Sequence, residues 1–159
     1  GQIPLNFRQK SVIQVISGWN NITNKHIKCV KTILKCIKNV LYNPFEDRFR
    51  KIKLSNKKMQ KLIFNVNGGI KLFYRAGFEK KTNDNNQDII IIEAPNTSEQ
   101  LEQLTEILIV LKYTLDKWEY NANDTTNNGN TKKKFKFELE DTLKINRNNF
   151  FKGNDISKV

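Results

Sequence analysis

The stretch NVLYNPFEDRFRKIKLSN, residues 39–56, holds the breaks that decide how the chain folds. Asn39 to Tyr42 complete an apolar helical pattern that arrives from upstream. Asn43-Pro44 stops it, because proline lacks an N–H and restricts the backbone of the residue before it. Asn43 is a good N-cap, Pro44 suits a first helical position and Glu46 falls at the capping-box position. A new short helix carrying Phe45 to Arg50 is therefore expected. Leu54-Ser55-Asn56 is a second break, at which Ser55 or Asn56 can cap a further helix through Met59, Leu62 and Ile63.

Upstream, Ile27, Val30, Leu34, Ile37 and Leu41 recur in steps of three and four, one apolar face of a long helix. Lys28, Lys31, Lys35 and Lys38 fall largely off that face. Thr23 or Asn24 can cap it. Before it, Val12, Ile13, Val15, Ile16 and Trp19 suit a short helix ending near Gly18 and Asn20-Asn21.

Downstream, Asn67-Gly68-Gly69 is a third break. Ile70, Leu72, Phe73 and Ala76 follow, and Gly77 fits a left-handed stop. The pattern then changes period. A strand is expected from Phe78, a polar turn over residues 82–86, and a buried β-branched strand over Ile89 to Ile92, ended by Pro95. Thr97 with Gln100 makes a capping box. Leu101, Leu104, Leu108, Leu111, Leu115 and Trp118 mark a long amphipathic helix. The fold class is thus α+β: mainly a helical bundle with a small antiparallel β unit. The expected organisation is an N-terminal extension (1–23), one domain (24–118), and a polar linker with a basic, aromatic tail (119–159). In that tail Lys132-Lys133-Lys134 precede the alternating Phe135, Phe137 and Leu139, a strand pattern.

A chain of 159 residues can bury roughly two thirds of its unfolded surface, enough for a core without disulfides or a structural metal. The net charge of +12 favours acidic partners such as nucleic acid, anionic lipid or acidic peptide. Lys and Asn recur even in linker-like stretches, so a compositional bias toward these residues is the simpler account of most of the charge. No segment approaches the roughly 18 apolar residues of a membrane span, and no signal peptide is visible, so no membrane partner is expected. Cys29 and Cys36 are seven residues apart on one helix, about 10 Å. A disulfide needs Cα atoms within about 7 Å. Two reduced thiols suit a reducing, cytoplasmic setting. Three glycosylation-type triplets, at Asn21, Asn96 and Asn123, read as chance matches in an Asn-rich chain.

Catalysis needs a nucleophile, a base and an orienting group, and the single histidine, His26, has only Cys29 within a helical turn. Zinc needs about four ligands, and two Cys with one His on one helix do not supply them. Gly68-Gly69 lacks the Lys-Ser/Thr of a phosphate loop. No catalytic residue, metal or cofactor is expected, and the chain reads as a non-enzyme.

Residues 39–57 do bring binding chemistry together. Asn39 and Asn56 offer amides that can donate to and accept from an extended backbone. Phe49 offers an apolar floor, and Arg50, Lys51, Lys53 and Lys57 offer cations for a carboxylate. The same residues also read as architecture alone: Asn43 and Asn56 as caps, Phe49 and Ile52 as core, the cations as solvated surface.

With Val66-Asn67-Gly68, Gly77-Phe78-Glu79 and the Leu101–Leu115 helix following in order, residues 24–117 resemble the PUB (or PUG) domain. That domain occurs in peptide:N-glycanases, UBX-type adaptors and a linear-ubiquitin ligase. The resemblance implies a helical bundle with a small β unit. It also implies a role in the ubiquitin–proteasome pathway and ER-associated degradation: binding the C-terminal tail of the valosin-containing AAA ATPase. It places the peptide-contacting amides at Asn39 and Asn56, the pocket tyrosine at Phe49 and the basic contact at Lys53, with Arg50 and Lys57 alongside. Two positions depart from the family pattern. Phe49 lacks the tyrosine hydroxyl, and Lys53 replaces an arginine fork by a point charge.

Two other functions stay open. The domain could belong to a peptide:N-glycanase whose catalytic core lies elsewhere. Alternatively, the charge and the Lys132–Lys134 cluster could bind nucleic acid, although no aromatic-plus-glycine recognition motif accompanies them. The chain is expected to act as a monomer.

Overall fold

A computed structural model describes residues 6–122. Six helices and three short strands follow one another in these residues: α1 (Phe7–Ser17), α2 (Asn24–Tyr42), α3 (Asp47–Arg50), β1 (Lys51–Lys53), α4 (Lys57–Met59), α5 (Gly69–Ala76), β2 (Glu79–Thr82), β3 (Asp88–Ile91) and α6 (Ser98–Ala122). A π-helical turn, Gln60–Phe64, extends α4.

The breaks read in the sequence terminate most of these elements. Thr23 stands at the N-cap of α2, and its backbone N–H donates to Nδ1 of His26 at 3.1 Å. Asn56 caps α4, its side-chain oxygen accepting the Met59 N–H. Gly77 ends α5 at φ +112°, the left-handed backbone that glycine adopts without strain. Thr97 and Gln100 exchange the two bonds of a capping box, at 3.2 and 3.3 Å.

One boundary departs from expectation. Asn43 is not the N-cap of α3, and Pro44 does not open it: the helix begins at Asp47, with Glu46 in the cap position. Asn43 instead closes α2, its backbone N–H and its side-chain Nδ2 both donating to the Asn39 carbonyl at 3.0 and 3.2 Å. Glu46 N–H then donates back to the Asn43 carbonyl at 3.1 Å. Asn followed by Pro is as good a start for a β-turn as for a helix. Here the turn wins, and it leaves only one helical turn for residues 47–50. The first helix is also longer than its apolar run. It starts at Phe7 because Asn6 and Gln9 form a capping box ahead of Val12.

The sheet has the order β1-β3-β2, antiparallel throughout. Lys51, Ile52 and Lys53 pair with Ile91, Ile90 and Ile89, and Glu79 to Thr82 pair with Ile91 to Asp88 on the other side. The central strand carries the buried Ile89 and Ile90. β2 and β3 lie where strands are expected, whereas β1 is not expected, because its Lys-Ile-Lys offers one apolar residue.

The core lies between α2, α5 and α6, with Phe73 and Phe78 meeting edge to face at 5.0 Å. The last helix is less one-sided than its leucine spacing suggests. Every residue from Leu104 to Leu111 is buried, because α2 covers one flank and α1 another. Val12 and Ile16 of α1 enter the same core, so residues expected to form an extension pack on the domain itself. The buried Thr105 and Thr114 hydroxyls donate to the carbonyls four residues back, at 2.7 Å each, which removes the cost of unpaired polar groups. The helix runs on to Ala122; the rest of the expected linker and the 135–139 strand pattern lie outside the described residues.

Candidate functional site

Residues 39–57 leave α2, turn through α3 and β1, and enter α4, so the candidate binding residues sit on three short elements and one helix end. Asn39 is half-buried in the last turn of α2. Its carbonyl is occupied by Asn43, while its side-chain amide makes no hydrogen bond among the described residues. Phe49 is half-buried on α3 and packs on the hydrophobic core. The Arg48 guanidinium lies over its ring at 4.5 Å and bonds the Glu46 carboxylate at 2.9 Å. Lys53 and Lys57 are exposed, at the end of β1 and the start of α4. The turn between them is closed by the Asn56 N–H donating to the Lys53 carbonyl at 3.1 Å.

Two of these residues have structural duties as well. The Asn56 side-chain oxygen is committed to the Met59 N–H at 3.1 Å, which leaves its NH₂ donors exposed for a ligand. Arg50 is drawn inward, with its side chain only 11 % exposed. Its guanidinium bonds Asp47 and reaches the Ile92 carbonyl at 3.4 Å, and its buried Nε has no partner. Arg50 thus ties α3 to the end of β3 instead of standing among the exposed cations. Two further residues shape the site and carried no signal in the sequence. Arg48 covers the Phe49 ring, and Gln60 donates to the Leu54 carbonyl at 3.0 Å, bracing the β1–α4 turn.

The two thiols are poor nucleophiles: burial pushes Cys29 up to about 12 and Cys36 up to about 11, the latter despite the nearby Lys35 and Lys58 charges. No group of three or more metal-ligating side chains occurs among the described residues. Among the cavities of the described residues, one of about 630 Å³ opens where α1 meets α5 and α6 and one of about 200 Å³ beside the end of β3, and they share Arg8 and Gln103. None of the six proposed binding residues lines either one.

The fold is a short three-stranded sheet against a helical core, with Asn39, Phe49, Lys53 and Asn56 carried on the consecutive elements from the end of α2 to the start of α4. The PUB domain family model matches residues 23–107, and the chain belongs to that family. Two relatives support the assignment. Plant UBX domain-containing protein 2 from Arabidopsis thaliana is 29 % identical over 93 residues, covering 58 % of this chain and 19 % of that protein. UBX domain-containing protein 6 from Caenorhabditis elegans is 28 % identical over 95 residues, covering 58 % of this chain and 22 % of its own length. The matched region is thus about a fifth of each relative. The chain carries a protein-interaction module of the kind found in adaptors.

Proposed function

We propose that residues 39–57 bind the C-terminal tail of a AAA ATPase of the valosin-containing type, recruiting it as an adaptor in ubiquitin-dependent degradation. The observation that carries the reading is the pair of amides flanking Phe49. Asn39 has an unengaged side chain, and Asn56 keeps its donors exposed while its oxygen caps α4. An extended peptide laid between them would donate to and accept from Asn39 and accept from Asn56. Its last apolar side chain would rest on Phe49, with Arg48 swinging off the ring to admit it. Lys53 and Lys57 would meet the terminal carboxylate as point charges, without the two-pronged geometry of arginine. Arg50 would act through the fold, by holding α3 on β3. The UBX-domain relatives favour an adaptor over a fragment of a peptide:N-glycanase.

Fluorescence anisotropy of a labelled peptide copying the last ten or so residues of that ATPase tests the reading, with the whole chain at physiological salt. The expected result is micromolar binding that requires a free C-terminal carboxylate and is lost on Lys53→Glu. No binding to the folded protein, or equal binding of the amidated peptide, would overturn it.

A further inference from the structure

Charge is not spread evenly along this chain, as a uniform compositional bias would spread it. From Asn24 to Phe78 there are fourteen Lys and Arg against two acids, Glu46 and Asp47. From Glu79 to Ala122 there are four against nine. The fold concentrates the first set further. α2 carries five lysines and no acid over nineteen residues. Lys28, Lys31, Lys35 and Lys38 fall within one solvent-facing arc at 100° per residue, opposite the buried Val30, Ile33 and Ile37. They span about 15 Å of helix.

α4 and its π-helical turn pack beside α2 and add Lys57, Lys58 and Lys61, all exposed. Lys35 and Lys58 both act on the Cys36 thiol, which places the two rows next to each other. Of these seven, only Lys31 has an acidic partner within salt-bridge distance among the described residues, Glu119 at 2.8 Å. Like charges at these helical spacings oppose folding, so an external anion would relieve them.

We infer that this lysine face docks on an anionic membrane surface. Three observations favour a bilayer over nucleic acid. The face is two elements wide and carried on the outward sides of helices, and both cavities described above open elsewhere. Its cations are lysines, suited to a diffuse field of headgroups, whereas paired phosphate contacts favour arginine. The face also ends in large exposed rings: Tyr42 lies on the same arc, 49 % exposed, and Phe45 follows in the next turn, 73 % exposed. Rings beside lysines suit the boundary between headgroups and acyl chains. Surface docking needs no spanning segment, and no described helix is long and apolar enough to span.

Sedimentation with vesicles of phosphatidylcholine containing about 30 % phosphatidylserine, set against phosphatidylcholine alone, tests the inference on the whole chain. Retention is expected on the anionic vesicles only, and it should fall as salt rises. The variant Lys28→Gln/Lys35→Gln/Lys58→Gln touches none of the proposed peptide contacts. It should bind the same vesicles about a hundredfold more weakly, at about fivefold per lysine. Its helical circular dichroism and tail-peptide binding should be unchanged. Equal retention of that variant, or equal binding to neutral vesicles, would overturn the inference. So would retention by a duplex RNA but not by anionic vesicles.

Discussion

The side-chain oxygen of Asn56 accepts the backbone N–H of Met59 at 3.1 Å, so one residue both caps α4 and presents its NH₂ group to the proposed peptide. The two duties separate chemically. Aspartate keeps the capping oxygen and loses the donors, whereas alanine loses both. Asn56→Asp should therefore retain stability within a few tenths of a kcal/mol, while Asn56→Ala should cost about 1 kcal/mol. Both should abolish tail-peptide binding. Urea midpoints and peptide anisotropy on the two variants check this. If Asn56→Asp bound the peptide as well as the parent, Asn56 would be a cap and nothing more.

Gly69 makes a sharper demand on the fold. A Cβ placed there would come within 2.3 Å of the Ile63 carbonyl oxygen and 3.2 Å of the Cys29 sulfur. The first clash is with backbone, in the π-helical turn, and no rotamer change relieves it. Gly69→Ala should cost on the order of 3 kcal/mol, seen as a lower urea midpoint with an unchanged slope. The neighbouring Gly68 is constrained differently, by a left-handed φ of +84° and by the Trp19 indole nitrogen 3.2 Å from where a Cβ would sit. A loss below about 1 kcal/mol at Gly69 would mean that the turn from Gln60 to Phe64 yields easily.

These features show where sequence reading reaches its limit. Elements with a strong period or a chemically distinctive end were legible: α2 from its apolar stripe, β3 from its isoleucine run, Gly77 and Thr97 from their cap chemistry. The boundary at Asn43-Pro44 was ambiguous because one pair of residues satisfies two local geometries, and only tertiary context chooses between them. β1 was invisible because a three-residue strand with one half-buried isoleucine has no period to detect. The candidate site was legible as residue types, and family resemblance assigned their roles. That Arg50 turns inward depends on the Ile92 carbonyl forty-two residues away, which no local pattern encodes.

The two cysteines differ in exposure but share a chemical fate. Cys29 is fully buried and Cys36 half-buried, and desolvation raises both thiols, to about 12 and about 11. The thiolate is the reactive form. At pH 8 its fraction would be about one in ten thousand for Cys29 and one in a thousand for Cys36. Ellman's reagent should therefore label the native protein orders of magnitude more slowly than the unfolded chain, with Cys36 reacting first. A Cys36→Ser variant should leave only a phase limited by opening of the core. Native labelling at the unfolded rate would show that α2 does not hold these thiols in place.

His26 gives the protein a pH dependence of defined sign. Its Nδ1 accepts the Thr23 N–H at 3.1 Å, and its ring lies 4.7 Å from Trp19. Burial, with the Lys25 charge adding to it, holds its pKa below the ordinary 6.5. The native state therefore favours the neutral ring, while the unfolded chain takes up a proton near pH 6.5. Between the two pKa values the unfolded state binds more protons, so stability rises with pH across that window. The contribution is fully present above about pH 6.5 and is lost as pH falls through the folded value. Protonation also removes the lone pair that accepts the Thr23 N–H, so the N-terminal turn of α2 should loosen first. Urea midpoints at about pH 7.5 and 5.5 should fall further in the parent than in His26→Gln, whose amide can still accept the Thr23 bond but does not titrate. Equal falls in the two proteins would assign the acid sensitivity to the carboxylates and leave His26 a spectator.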